Sequence, residues 1–362
     1  MSSPRTIVYA GTGSSHSWTW LADLFERSGV FGVRFLDDDE FVEELASESV
    51  ELAIVSGGDG FMIADALKGE GFRKLEGFIK AGGTYAGICA GAYLPLPSTV
   101  PPFSEFNLSS TRIENIDSHL DIDASVSPRI AVRYGSCAVV HPVRGPLEVG
   151  EHSRASVLAP LYGGPVFREP EHDVALMRYL SFTSGTEFQM EKDKACSLIL
   201  EKPAVIKVFH GDGKLVLFGP HLEHPRFPSA NELFLRMLGF ERTQQKKEPL
   251  PPREGNPSLL RSITGFKVAI YGLENRSFVV GKKAWDGGRL LELADAIEKR
   301  ASNLSDEDLE LIHSRLSRLR ELLVTLKKGT DSDADESTQL LVETARICVD
   351  RHFEALAGKG TK

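Results

Sequence analysis

Cys89 stands in the stretch Tyr85-Ala86-Gly87-Ile88-Cys89-Ala90-Gly91-Ala92-Tyr93, where a strand pattern runs directly into a helical one. Glycine on both sides of the cysteine permits a turn too tight for side chains, the pattern of a nucleophile elbow with sulfur in place of the serine oxygen. Such a turn sets the sulfur at the carboxyl end of a sheet and at a helix N-terminus. There, free amides and partial positive charge favour thiolate over thiol. A thiolate that attacks a carbonyl also needs a base and a group that orients the base. His221 and Glu223 directly follow the strand pattern Leu215–Phe218 and supply both. In extended backbone they point the same way, so the carboxylate holds one imidazole nitrogen while the other faces the thiol. His224 is out of phase and is the weaker base. The backbone amides of Gly58, after another strand, and of Ala90, after the cysteine, are candidates to hold a developing oxyanion. The chemistry is attack on a carboxamide-like carbonyl with a thioacyl intermediate.

These residues need a scaffold, and the first 95 residues of the chain predict one. Strand patterns at Ile7–Ala10, Val33–Leu36, Leu52–Val55 and Thr84–Ile88 alternate with amphipathic stretches carrying Trp18, Leu21, Leu24 and Phe25, then Phe41, Val42 and Leu45, then Leu75, Phe78 and Ile79. Strand–helix alternation with short turns predicts right-handed βαβ units, hence an α/β fold with a doubly wound, mostly parallel sheet covered on both faces. Ligands in such sheets sit beyond the carboxyl ends of the strands. Three glycine-rich turns fall there: Gly11–Ser15, Gly57–Gly60 and the one holding Cys89.

Downstream, prolines and short apolar runs at Ile130–Tyr134, Ala138–Val140 and Val157–Leu161 predict antiparallel strands and loops. A hairpin follows, with Ala204–Phe209 and Lys214–Phe218 joined by His210-Gly211-Asp212-Gly213, and then a helix from Ser229 to Leu238 that ends at Gly239. The proline-rich run within 242–258 is expected to be a linker between a domain over 1–241 and a mainly helical domain over 259–362. In the latter, Lys267–Tyr271 and Ser277–Val280 are expected to pair as a small hairpin. Leu290, Leu293 and Ile297 mark one helix, and Leu309 to Leu326, behind Ser305-x-x-Asp308, a second. Leu341, Ala345, Cys348 and Phe353 mark a third. Their apolar stripe must cover the tail itself, the main domain or a second copy of the chain.

Composition bounds the remaining classes. Forty-one per cent hydrophobic and 26% charged residues in a chain of 362 describe a globular protein of more than one unit and exclude whole-chain disorder. A net charge of −9 gives no general attraction to nucleic acid or anionic membrane. No run of about 18 apolar residues predicts a membrane span, and no signal segment is visible, so a cytoplasmic protein is expected. Cys89, Cys137, Cys196 and Cys348 form no C-x-x-C pair, which argues against a zinc ribbon or a disulfide framework. The last three are read as structural. Asp37–Glu40 is an acidic helix start rather than a metal site. No Walker loop or full dinucleotide fingerprint is present, so neither a metal nor a cofactor is expected.

The elbow and the late His-x-Glu, in that order on a βαβ sheet, resemble the class I glutamine amidotransferase superfamily. Several motifs resemble the domain at the N-terminus of eukaryotic biotin-protein ligases: Val8–Ser15, Ser56-Gly57-Gly58, Gly82–Tyr93, Leu161-Tyr162-Gly163-Gly164-Pro165 and Gly219-Pro220-His221-Leu222-Glu223. The resemblance covers residues 1–240 and implies a flavodoxin-like core, a Cys89–His221–Glu223 triad and a stand-alone member of that domain family. Gly57, Ser14, Tyr93, Gly163 and Gly164 are the positions expected to bind substrate. No Gly-Arg-Gly-Arg loop or Lys-Trp-Pro-Asn-Asp strand of the adenylating domain occurs. Ala92-Tyr93 also replaces the His-Gln that follows the elbow in glutamine-hydrolysing relatives, which argues against glutamine. A cysteine-dependent hydrolase or amidase acting on a small-molecule or peptide-like substrate is the leading expectation. The alternatives are a non-catalytic binding module, with a protein partner or homodimer through the C-terminal helices, and a glutaminase subunit.

Overall fold

Residue alternation along four short strands divides the apolar side chains between two cores. In the computed structural model, which describes residues 5–114, 116, 141–151, 156–240, 257–273, 277–326 and 331–359, the strands are β1 (Thr6–Tyr9), β2 (Val33–Leu36), β3 (Leu52–Val55) and β4 (Thr84–Ile88). Val8, Ile54, Ala86 and Ile88 face one core, whereas Ile7, Tyr9, Ala53, Val55 and Tyr85 face the other. The second face is covered by α2 (Asp38–Glu44), α3 (Gly60–Leu67), α4 (Glu70–Lys80) and the short α5 (Ala90–Tyr93), through Phe41, Ile63, Leu67, Phe72, Leu75 and Phe78. The first face is covered by α1 (Trp18–Arg27) and by the C-terminal helices.

Among the described residues, ten strands form one mixed sheet of an α/β fold. The chain continues through β5 (Val143–Gly150), β6 (Val157–Leu161), β7 (Val174–Phe182), β8 (Glu187–Phe188), α6 (Lys192–Ile199), β9 (Pro203–His210), β10 (Gly213–Phe218) and α7 (Pro228–Met237). The sheet order is β2-β1-β3-β4-β10-β9-β7-β5-β6, with β8 beside β5. β2, β1, β3, β4 and β10 run parallel, in the flavodoxin-like order. The expected β9–β10 hairpin forms with Phe218 opposite Val205, and β7, β5 and β6 extend the sheet antiparallel. The strands expected at Ile130–Tyr134 and Ala138–Val140, together with Cys137, lie outside the described residues.

The tail differs from expectation at its start. Lys267–Tyr271 is the end of a helix, α8 (Pro257–Tyr271), rather than a strand. Leu259, Ile263, Phe266 and Ile270 are buried at steps of three and four, the helical period, which a short β-rich window does not reveal. Pro257 and Ser258, expected to close a linker, instead open this helix; the preceding linker positions lie outside the described residues. The hairpin forms one step later, between β11 (Ser277–Val280) and β12 (Lys283–Asp286). Then come α9 (Gly287–Arg300), α10 (Asp306–Leu326) and α11 (Asp331–Lys359). As expected, Ser305 Oγ accepts from the Asp308 N–H at 3.1 Å.

Of the tail's apolar stripe, Ile312, Leu316, Leu319 and Leu323 of α10 and Leu341, Ala345, Cys348 and Phe353 of α11 are buried within the chain. The tail's docking is also electrostatic. Arg34 on β2 donates from Nε and Nη2 to the Asp350 carboxylate at 2.9 and 2.8 Å, and the Phe35 N–H adds a third bond to that carboxylate at 2.8 Å. Arg300, fully buried, donates to Asp23 at 2.7 Å and Glu26 at 2.8 Å on α1. Arg346 reaches Asp37 and Glu40 at the start of α2. The acidic run Asp37–Glu40 thus forms a capping box and also receives the tail. No described helix is long and apolar enough to cross a membrane.

Candidate active site

Backbone geometry at the end of β4 is set by what surrounds it. Cys89 has φ +52°, and Glu201 is the other described non-glycine residue with positive φ. A Cβ on Gly91 would lie 2.0 Å from the Val55 carbonyl oxygen, and one on Gly87 would lie 2.5 Å from the Gly91 carbonyl oxygen. Only glycine fits at either position, so the elbow packs directly on the backbone of β3. The Cys89 N–H donates to the Phe218 carbonyl at 2.9 Å, which ties the turn to the end of β10.

β10 in turn delivers His221. The His221 N–H donates to the Pro160 carbonyl at 2.9 Å, and its Nδ1 lies 2.7 Å from Glu223 Oε1. His221 and Glu223 are 3% and 0% exposed, so this contact is screened from water. They meet through a turn, closed by the His224 N–H on the His221 carbonyl, rather than through the alternation of an extended strand. His221 is also coupled electrostatically to Cys89. Burial pushes that thiol up, but the interaction with His221, with a smaller effect of Lys283, outweighs it and leaves the thiol below its ordinary range. For His221 the balance is likewise against burial: the charges of Glu223 and Cys89 raise the imidazole to about 10. Both shifts favour the ion pair, thiolate with imidazolium. His224 goes the other way, lowered to about 4 by burial and by the charge of His221, so it stays neutral.

The remaining expected positions gather around this pair. A Cβ on Gly57 would meet His221 Cε1 at 3.0 Å and Cys89 Cβ at 3.6 Å, so this glycine forms part of the floor under both side chains. Ser15, Ser17 and Ser56 link their hydroxyls at 3.0 and 2.9 Å, and Ser15 Oγ donates to the Gly57 carbonyl. Ser14 pairs with Gly58 in an antiparallel bridge whose two bonds use the amides of Ser15 and Asp59. Among the described residues, the N–H groups of Gly58 and Ala90 have no acceptor. The Tyr93 hydroxyl donates to the Gly163 carbonyl at 3.2 Å, and Gly164 lies against the carbonyl of Gly219. The elbow helix, the Gly163–Gly164 turn and the His221 turn are therefore in mutual contact.

Sequence reasoning missed what the tail contributes. Trp20 packs edge-on to His221 with ring centres 5.3 Å apart, and its indole N–H donates to Glu292 of α9 at 2.6 Å. His16 sits between Trp20 and Trp285, at 5.1 and 6.4 Å. The Lys282 N–H, at the β11–β12 turn, donates to Asp59 of the Gly57–Gly60 loop. Lys283 interacts electrostatically with Cys89, and burial lowers its ammonium to about 8. Arg144 stacks over Tyr162 at 5.7 Å, and Tyr162 packs on His221 at 5.9 Å. None of these contacts follows a local motif; all arise from long-range docking. A cavity of about 540 Å³ lies between the Gly11–Ser14 turn and α11, with Lys283 and Trp285 in its wall. Cys89 does not line it.

Comparison with known proteins bears on the first part of this site. Residues 5–101 match the family described as "Biotin-protein ligase, N terminal". An uncharacterized protein of Chlamydia muridarum (strain MoPn / Nigg) is 30% identical over 98 residues, covering 26% of this chain and 38% of that protein. The biotin–protein ligase of Schizosaccharomyces pombe is 28% identical over 92 residues, covering 25% of this chain and 15% of the ligase. The aligned parts are thus well under half of these relatives. A crystal structure of a glutamine amidotransferase aligns over 65% of this chain and 99% of its own, at 15% identity and a TM-score of 0.41, too distant to transfer any property. The family match takes in the Gly11–Ser15 turn, Gly57, Gly58 and the whole elbow, and leaves out His221, Glu223 and the tail. The resemblance read from the motifs to the N-terminal part of biotin-protein ligases is borne out over residues 5–101.

Proposed function

We propose that this protein is a cysteine-dependent hydrolase or amidase in which Cys89 is the nucleophile, His221 the acid and base, and Glu223 the group that orients His221. The observation that carries the reading is the 2.7 Å contact of a fully buried Glu223 with His221, whose ring lies over Gly57 together with a cysteine held at φ +52°. Cys89 Sγ attacks the carbonyl carbon, and the carbonyl π electrons move onto oxygen. The amides of Gly58 and Ala90, without other acceptors, receive that oxyanion. As the tetrahedral intermediate collapses, the imidazolium gives its proton to the departing amine, leaving a thioacyl enzyme and neutral His221. His221 then takes a proton from water as it attacks the thioester. The carboxylic acid leaves and the thiolate–imidazolium pair is restored. The reading fits a reducing, cytoplasmic setting, in which the thiolate is not oxidised.

The test is the pH dependence of Cys89 alkylation by iodoacetamide, followed by peptide mass spectrometry. Cys89 is expected to react well below the pH at which an ordinary thiol with a pKa near 8.5 does. Labelling that tracks an ordinary thiol, or an equal label on Cys89→Ser protein, contradicts the assignment.

A further inference from the structure

Basic side chains other than His221 also gather around Cys89. Arg144 from β5, Lys283 from β12 and Arg289 from the first turn of α9 all interact electrostatically with one another, and Arg144 and Lys283 also act on Cys89. Arg289 is committed to Asp286, which also caps α9. Arg144 and Lys283 are half-buried and, among the described residues, hydrogen-bond to no carboxylate; Glu187 and Asp286 act on them only at longer range. Holding two like charges together, partly out of water, costs free energy that is recovered when an anion enters. Lys283 follows Lys282, whose N–H donates to Asp59 in the Gly57–Gly60 loop beneath Cys89 and His221, and Arg144 lies over the ring of Tyr162, which packs on His221.

We propose that Arg144 and Lys283 form an anion-recognition subsite beside Cys89, so that the substrate carries a carboxylate close to the carbonyl under attack and the C-terminal hairpin completes the active site. The proposal rests on Cys89 being the nucleophile and adds the class of substrate. A guanidinium and an ammonium suit a carboxylate, with Arg144 giving two donors in a fixed plane and Lys283 a point charge. The hairpin supplies one of the two cations, and removing it deprives the site of specificity as well as cover.

The test compares iodoacetate with iodoacetamide as alkylating agents of Cys89 in the full-length protein at pH 7. The two reagents differ by a carboxylate at the position the subsite is built to hold, and the ratio of their rate constants cancels the fraction of thiolate. Relative to glutathione measured alongside, the ratio is expected to be about tenfold higher in the wild type. It is expected to fall severalfold in Lys283→Met and in Arg144→Met, and to be retained in Lys283→Arg. The two Met variants lie on different sheets, so one reports if the other does not fold. A wild-type ratio at or below that of glutathione, or a ratio unmoved by both Met substitutions, overturns the subsite. In either case rapid iodoacetamide labelling at low pH still supports the nucleophile, whereas ordinary-thiol behaviour toward iodoacetamide rejects the reading on which the subsite rests.

Discussion

Replacing Glu223 by Gln keeps the shape of the side chain and removes its charge. Glu223 Oε1 lies 2.7 Å from His221 Nδ1 with both residues out of water, so the contact is a charge-assisted hydrogen bond whenever the imidazole is protonated. Such a bond contributes about 1.5–3 kcal/mol. At about 1.36 kcal/mol per pKa unit, its loss lowers the basicity of His221 by about 1–2 units. The sign then follows from the coupling: imidazolium lowers the thiol, and a less basic imidazole holds its proton over a narrower range. In Glu223→Gln the thiolate–imidazolium pair therefore forms less completely and loses its proton at lower pH. The assay is the iodoacetamide rate at Cys89 from pH 4 to 10. For the wild type, reactivity is expected to rise well below the ordinary thiol range. For the variant, the low-pH limb is expected to move up by about one unit, and the rate at pH 6 to fall about tenfold. Glu223 also repels the thiolate, but more weakly than it holds His221, so it trims this shift without reversing it. A variant whose profile overlays the wild type would show that Glu223 does not set the charge of His221.

Other consequences follow from the same structure. His221→Ala removes the partner that lowers Cys89, so its alkylation profile should move to or above that of an ordinary thiol, read by the same mass-spectrometric assay. Gly91→Ala places a Cβ 2.0 Å from the Val55 carbonyl oxygen and should cost at least about 3 kcal/mol, seen as a Tm drop of several degrees. Cys348 is pushed up to about 12 by burial, so at pH 7 it should resist iodoacetamide in the folded protein and react once guanidinium is added. Asp350→Ala leaves Arg34 and the Phe35 amide without their buried acceptor and should destabilise the docked tail by about 2–4 kcal/mol. Limited proteolysis that frees the tail more readily than in wild type is the expected sign.

How far the site was legible in the sequence depended on how local its parts are. The elbow is written in five consecutive residues, because the glycines at 87 and 91 answer a steric demand of the neighbouring backbone. His221 and Glu223 could be found from their position after a strand pattern, although the turn that joins them is not the extended geometry expected. Gly57 was legible as a glycine turn, and its place under both Cys89 and His221 depends on β3 lying next to β4. The tail was read correctly as helices from its three- and four-residue periodicity, apart from α8, where Val268, Ile270 and Tyr271 imitate a strand. Where those helices dock depends on pairs such as Arg300 with Asp23 and Arg34 with Asp350, some three hundred residues apart. No local pattern encodes such pairs. For the same reason Lys283 and Arg144 carry no signal in sequence: each is an ordinary basic residue until the hairpin and β5 bring them into the electrostatic surroundings of Cys89.

As the nucleophile, Cys89 must carry an acyl group during turnover. Wild-type, His221→Ala and Cys89→Ala proteins should be incubated with a metabolite extract, and their intact masses recorded before and after hydroxylamine. A hydroxylamine-sensitive mass increase on Cys89 is expected, most persistent in His221→Ala, where water is no longer activated, and absent from Cys89→Ala. An increase of equal size on Cys89→Ala, or none on any protein while Cys89 titrates as an ordinary thiol, would contradict this role of Cys89.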